Sequence, residues 1–240
     1  MLYEQPRLYD ALYDRFTEDI PFYIDICRPG PVCELGCGTG RVSIPLAAAG
    51  HSVIGIDAQP QMVSAARKRA AAAGVRAGEV AFHHGDMREP QGDAAFSSVI
   101  VPLHSLSHLL TVDDLLQALG AMYRSLKPGG VLALALHNPD PVYLAQRGEG
   151  LERIHRDVAD VAVYEVADYH SDTQILNLKW YVETAAETTL IPYQLRMIFP
   201  EELLLLLRCT GFELEARYGW YDRTPFGPES GTQIVVARRR

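Results

Sequence analysis

Three glycines in five positions, preceded by an acid, form the most chemically suggestive stretch of this chain: Glu34-Leu35-Gly36-Cys37-Gly38-Thr39-Gly40. The residues before the glycines, Val32 to Leu35, are apolar apart from Glu34, and Arg41 to Ala49 reads as helix. A second apolar run, Val53-Ile54-Gly55-Ile56, then ends in Asp57. Strand, glycine turn, helix and second strand make a unit in which the turn lets a ligand approach the backbone without a Cβ in the way. An acid closing the second strand can accept both hydroxyls of a ribose. The chemistry implied is the binding of a nucleoside-containing cofactor across the carboxyl ends of two adjacent parallel strands.

Spacing and charge choose among such cofactors. A dinucleotide fingerprint spaces its glycines G-x-G-x-x-G and offers a helix N-terminus to a pyrophosphate. Here the spacing is G-x-G-x-G, with Glu34 two residues ahead of the first glycine. A carboxylate there repels a pyrophosphate and attracts the amino group or sulfonium of a methionine moiety. S-adenosylmethionine (SAM) therefore fits better than NAD, and an NAD-dependent oxidoreductase is the disfavoured rival.

The chain resembles the class I SAM-dependent methyltransferases, over roughly residues 9–138 closely and loosely elsewhere. Residues 34–40 resemble their first motif, which assigns Glu34, Gly36, Cys37, Gly38 and Gly40 to the cofactor. Asp57-Ala58-Gln59-Pro60-Gln61-Met62 resembles the ribose turn, with Asp57, Ala58 and Met62 as its contacts. His84-Gly85-Asp86-Met87 resembles the adenine loop, with Gly85 beside the base, Asp86 on its exocyclic amine and Met87 against its ring. Residues 126–132, Leu-Lys-Pro-Gly-Gly-Val-Leu, resemble the family's turn into its fifth strand. The resemblance implies a doubly wound, Rossmann-like α/β sheet and methyl transfer from SAM to N, O or C of a small organic acceptor. Its nearest look-alikes are natural-product, amino-sugar and glycine-type methyltransferases, which suggests secondary metabolism. The alternative is a protein that binds SAM without methyl transfer, as sensor, scaffold or rearrangement catalyst. Departures are visible: Ser97-Ser98 stands where many members begin the fourth strand with Phe-Asp, and no Asp ends that strand for a divalent ion.

Methyl transfer needs the acceptor held in line, and a base only where the acceptor must lose a proton. The fourth strand ends in Pro102-Leu103-His104, so Pro102 and Leu103 are expected at the cofactor and His104 is the candidate base. His108 lies one turn further on and reads as a packing or hydrogen-bonding residue. His137, Asn138 and Asp140 sit at the end of the fifth strand, and no metal is expected there. Upstream, Tyr9-Asp10-Ala11-Leu12-Tyr13-Asp14 reads as an amphipathic helix; by resemblance Tyr13 lids the cofactor.

Those residues need elements to position them. The 240 residues fit one domain with an insertion, and 48% hydrophobic with 22% charged residues is ordinary for a globule. A net charge of −8 argues against a nucleic-acid partner. No run approaches membrane-spanning length, and the first residues lack a signal pattern, so a cytoplasmic location is expected. Cys27, Cys33, Cys37 and Cys209 lack paired spacing and read as free thiols. Expected divisions are a helical lid over 1–29, a SAM-binding α/β core over 30–150, an antiparallel β insertion over 151–199, and a last helix with a closing hairpin over 200–240. The insertion is read from period-two runs: Leu176, Leu178, Trp180 and Val182 on one face, and Ile191, Tyr193, Leu195, Met197 and Phe199 on another strand. It would serve as an acceptor cap or a dimer surface, leaving monomer and homodimer open. Aromatics within it (Tyr164, Tyr169, Trp180, Tyr181, Tyr193) and near the end (Trp220, Tyr221, Phe226) suggest an aromatic acceptor.

Overall fold

The computed structural model describes residues 2–75, 79–145, 152–158, 161–184 and 187–240. Two short helices, α1 (Pro6–Tyr13) and α2 (Asp19–Ile26), precede the first strand, β1 (Pro31–Leu35). Alternation then follows: α3 (Ser43–Ala48), β2 (Ser52–Asp57), α4 (Pro60–Ala72), β3 (Val80–His84), β4 (Phe96–Val101), α5 (Val112–Ser125) and β5 (Leu126–His137). After the short α6 (Pro141–Ala145) come four consecutive strands, β6 (Glu152–Val158), β7 (Val161–His170), β8 (Ile175–Glu183) and β9 (Thr188–Arg196). The chain closes with α7 (Pro200–Cys209), β10 (Phe212–Tyr218) and β11 (Thr232–Arg239).

The seven-stranded sheet runs β10-β11-β5-β4-β1-β2-β3. β3, β2, β1, β4 and β5 are mutually parallel, whereas β11 inserts antiparallel between β5 and β10. The order reverses between β1 and β4, so the loops after those strands diverge and leave a crevice at their carboxyl ends. Side chains alternate across the sheet. Val32, Val53, Ile100 and Ala133 join Phe22 and Tyr23 of α2 and Ala66 of α4 on one face. Cys33, Val99, Leu132 and Leu134 join Leu115 and Leu119 of α5 and Leu203 of α7 on the other.

Local signals end these elements where their chemistry requires. The Thr111 hydroxyl accepts the Asp114 N–H at 3.1 Å and caps α5. Pro60 and Pro200 open α4 and α7, where a missing N–H costs nothing. The departure at residues 97–98 has a local use: the Ser98 hydroxyl accepts the Arg28 N–H at 2.8 Å, tying the entry to β1 onto β4.

The four inserted strands form a separate antiparallel sheet, β6-β7-β8-β9. On β8, Leu176, Leu178, Trp180 and Val182 are buried and alternate with more exposed neighbours, as their period-two spacing requires. Leu178 lies opposite both Ala167 and Tyr193, so three strands contribute to one face. Arg196 fastens this sheet to the core. Its buried guanidinium donates to the carbonyls of Leu110 and Thr173 (both 3.2 Å), to Gln174 Oε1 (2.9 Å) and to Glu202 Oε1 of α7 (2.8 Å).

A second buried cation holds the N-terminal helices against the glycine turn. Arg41 donates to both carboxylate oxygens of Asp19, at 2.7 and 2.6 Å, and to the Phe16 carbonyl at 2.6 Å. Both side chains of the pair are almost entirely buried. Removing one partner from such a pair leaves an uncompensated charge in the interior. Asp19→Ala is therefore expected to lower unfolding stability by about 3–5 kcal/mol in urea titrations; a loss below about 1 kcal/mol would mean that solvent reaches the arginine.

Candidate active site

The glycine turn is shaped by what presses on it. The N–H groups of Gly36 and Cys37 both donate to the Ile56 carbonyl, at 2.8 and 3.0 Å, so the turn leans over the end of β2. Gly36 has a φ of +70°, and a Cβ there would fall 2.6 Å from the Ser105 hydroxyl oxygen. Gly38 has a φ of +54°, and its Cβ would meet the Tyr9 ring at 3.3 Å. No larger residue satisfies both the backbone and the space. Asp57 then joins the two turns: Oδ2 accepts the Gly38 N–H and Oδ1 the Gln59 N–H, each at 2.8 Å. Burial raises the Asp57 pKa, and these two N–H groups, with His84 nearby, pull it back toward the ionised form.

Above the turn lies a cavity of about 1350 Å³. Its floor is the carboxyl edge of the large sheet, its roof the inserted sheet, and one wall the tyrosines Tyr3, Tyr9 and Tyr13. Of the residues singled out from the sequence, Tyr13, Gly36, Gly38, Asp57, Ala58, Gly85, Met87, Leu103 and His104 line it. An acid beside a glycine turn, flanked by Ile56, Met87 and Leu103, suits a nucleoside: a carboxylate for the diol and apolar walls for the ring. The residues present fit SAM at that end.

The remaining candidates are not among the residues that line the cavity. Glu34 shares the face of β1 with Val32, and strand alternation carries its carboxyl toward α3, where the Ser43 hydroxyl donates to it. Burial pushes its pKa up to about 8 against the opposing pull of Ser43 and Arg41. Its carboxyl lies toward α3 and is not among the groups that line the cavity. Cys37 is a buried thiol, Gly40 makes room for Phe82 and Ile44, and Met62 packs fully buried in α4. Asp86 is engaged by Arg88, whose Nη2 donates at 2.6 Å and whose cation holds the carboxyl below its usual range. That pairing occupies the acid expected on the adenine amine. Pro102 contributes its carbonyl, which accepts from the Ser105 N–H and hydroxyl at 3.2 and 2.9 Å and so forms the turn rather than the wall.

At the other end of the cavity stand three histidines. Leu103 and His104 both have positive φ, 45° and 62°, a conformation costly for side chains with a Cβ. The His104 N–H donates to the Ala135 carbonyl of β5 at 3.1 Å, and its ring stacks on His137, centroid to centroid 3.5 Å and 19° from parallel. His104 Nδ1 is buried with no hydrogen-bond partner. His108 is engaged elsewhere, its Nε2 2.8 Å from the Tyr3 hydroxyl. Burial holds His104 well below the ordinary histidine range, with His137 and His108 adding to the effect, and brings His137 and His108 down to about 4. All three imidazoles are neutral at neutral pH.

Several lining residues carried little or no sequence signal: Tyr3, Gln59, Ser105, Asn177 and Gln194. Among the aromatics named above, Trp180 and Tyr193 reach the cavity, whereas Tyr164, Tyr169, Tyr181 and Phe226 do not. Tyr221 packs in the core with Phe16 and Phe22, and Trp220 donates to Glu18 on the surface. The suggestion of an aromatic acceptor thus narrows to two side chains. Among the described residues no group of three or more His, Cys, Asp or Glu is arranged to hold a metal ion.

Residues 32–130 match the family model described as "Methyltransferase domain". The chain is 28% identical over 212 residues to the cypemycin N-terminal methyltransferase of a Streptomyces species, covering 87% of this chain and 83% of that protein. It is 34% identical over 131 residues to the Bacillus subtilis (strain 168) protein YqeM, named for a proposed methyltransferase activity; that match takes in 53% of this chain and 50% of the relative, so the chain spans about half of that protein's length. Among solved structures, the CcbJ methyltransferase of Streptomyces caelestis superposes with a TM-score of 0.81 at 27% identity, over 92% of this chain and 88% of that one. A SAM-dependent methyltransferase of Clostridium acetobutylicum ATCC 824 gives 0.80 at 17% identity, over 97% and 96%, a likeness of fold. With the glycine turn, the acid at the end of β2 and the strand order, these matches support a SAM-dependent methyltransferase with a methyltransferase domain over residues 32–130, a fold like that of the class I enzymes, and SAM as its cofactor.

Proposed function

We propose that this protein moves a methyl group from SAM to a small organic acceptor held between the carboxyl edge of the large sheet and the inner face of the inserted sheet. The observation that carries this reading is the continuity of one cavity from Asp57 and the glycine turn to His104, Trp180 and Tyr193. SAM supplies an electrophilic methyl group on a good leaving group. The chain's own contribution is to bind, orient and exclude water. Asp57, Ala58 and the glycine turn hold the nucleoside; Met87 and Leu103 flank it; Tyr13 lies over it. Holding the acceptor in line at near-attack distance is worth roughly 7–11 kcal/mol. Trp180 and Tyr193 offer an apolar, amphipathic roof to the acceptor, and the inserted sheet contributes this specificity rather than a dimer contact. His104, neutral and at the rim of β4, takes a proton at Nε2 when the acceptor carries one. Nitrogen is the acceptor atom favoured among N, O and C, because the relative matched over most of both chains is named for methylating an N-terminus. A place in secondary metabolism and a cytoplasmic location accord with that relative and with the composition.

Methyl-labelled SAM incubated with the protein and a panel of small amines, phenols and carbon acids tests the reading. A labelled product supports it; SAM bound with no label leaving would favour the SAM-binding alternative. Within the cofactor end, Asp57→Ala should weaken SAM binding by about 1.5–3 kcal/mol in calorimetry, the range for hydrogen bonds to a charged group. Glu34→Gln should leave affinity nearly intact, since the acid faces Ser43. The opposite ranking would return Glu34 to the cofactor. The pH profile follows from the depressed His104 pKa. A base whose proton affinity is lowered is already free at neutral pH, so kcat should be level there and fall only as pH drops below the ordinary histidine value of 6.5. A sigmoidal rise centred on neutrality would remove His104 as the base.

A further inference from the structure

We propose that His104 and His137 act as one proton-accepting pair, and that His137 is a second catalytic residue of the site. The inference rests on the reading of the cavity as a place of methyl transfer and adds to it the group that shares the proton. Four observations carry it. The rings come from the carboxyl ends of adjacent parallel strands and lie face to face at 3.5 Å. Both line the cavity. Two consecutive residues, Leu103 and His104, adopt left-handed backbone to bring the first ring onto the second, and such strain persists where a site requires it. His104 Nδ1 is sealed without a partner, which leaves Nε2 as the nitrogen the cavity reaches.

The pairing has a chemical consequence. Two neutral imidazoles stack without penalty, and His137 disfavours a second charge on its neighbour. Two cations at that distance exclude each other, so the pair holds one proton at a time and titrates as a unit. As the acceptor's heteroatom bonds to the methyl carbon, the carbon–sulfur bond breaks with its electron pair left on sulfur. The proton on the heteroatom passes to His104 Nε2 and then to water. Before transfer both rings are uncharged, so neither repels the cationic sulfur. The titratable groups that line the cavity with the pair are His108 of the loop after β4, Tyr3, Tyr9 and Tyr13 of the N-terminal segment, Asp57 at the end of β2, Asp140 and Tyr143 beyond β5, and Glu165, Asp168, Lys179 and Tyr193 of the inserted sheet. His108 and Tyr3 bond to each other, and His108 adds to the lowering of His104.

Histidine-labelled protein saturated with S-adenosylhomocysteine, followed by carbon-detected NMR from about pH 4 to about pH 9, tests the pairing without any acceptor. The expected result is that the His104 and His137 resonances move together in one step, separate from His108, and that His137→Gln shifts the His104 step upward. Independent steps, with the His104 step unmoved in the variant, would overturn the proposal. The kinetic arm uses whichever acceptor the labelling panel yields. His104→Gln and His137→Gln should each lower kcat by roughly a hundredfold, and the double variant by no more than about tenfold beyond the worse single one, with SAM affinity unchanged throughout. Loss of less than about tenfold in His137→Gln, or losses that multiply in the double variant, would make His137 a packing residue. Should the wild-type protein methylate nothing, the methyl-transfer reading fails while the NMR result still decides whether the rings are coupled.

Discussion

One carboxylate organises the cofactor end. Asp57 accepts the Gly38 N–H through one oxygen and the Gln59 N–H through the other, so the turn after β1 and the turn after β2 are tied to a single side chain. Charge-assisted bonds of this kind are about twice as strong as neutral ones, and they keep a mostly buried acid from abandoning its charge. The rest of the site is built outward from that junction. Tyr9 packs on Gly38, Ser105 fills the space over Gly36, and the loop carrying Ser105 also carries His104. A shift of the glycine turn would be transmitted through these contacts to the far end of the cavity.

The second organising element is remote from the first. Arg196 binds four groups across three segments and fixes the roof over the floor, while the buried Arg41–Asp19 pair fixes the N-terminal wall. Both are guanidinium groups with little access to solvent, and each engages several acceptors through its terminal nitrogens while its Nε stays buried without a partner. On the proposed reading, cofactor recognition and acceptor recognition rest on different scaffolds, the parallel sheet for one and the inserted antiparallel sheet for the other. This is the physical basis for expecting that substitutions in the roof alter acceptor preference separately from SAM affinity.

Much of this was legible in the sequence because it is local. The βα alternation, the period-two run through β8, and the cap at Thr111 each need only a few neighbouring residues, and each matches its element. The glycine turn and Asp57 were readable for the same reason. Glu34 shows what parity adds to chemistry: two residues after Val32 on one strand, it shares that residue's face, and its carboxyl meets Ser43 of α3. Asp86 is paired with Arg88 two residues on, a contact that the spacing alone does not state. Tyr3 escaped, and His137 was placed at the end of the fifth strand without its partner, for another reason. The Tyr3–His108 bond joins residues 105 apart, and the stacking of His104 on His137 depends on β4 and β5 being neighbours in the sheet, which no local pattern states.

The cysteines carry a practical consequence. Cys27, Cys33 and Cys37 are buried and their thiols are held well above the ordinary range by desolvation, the first pushed up to about 12. A thiolate-selective reagent finds little to react with there. Cys209 is exposed at the last turn of α7 and is not among the residues that line the cavity. The native chain thus already offers a single addressable thiol, suited to attaching a fluorophore or a surface tether without engineering and without touching the chamber where cofactor and acceptor meet.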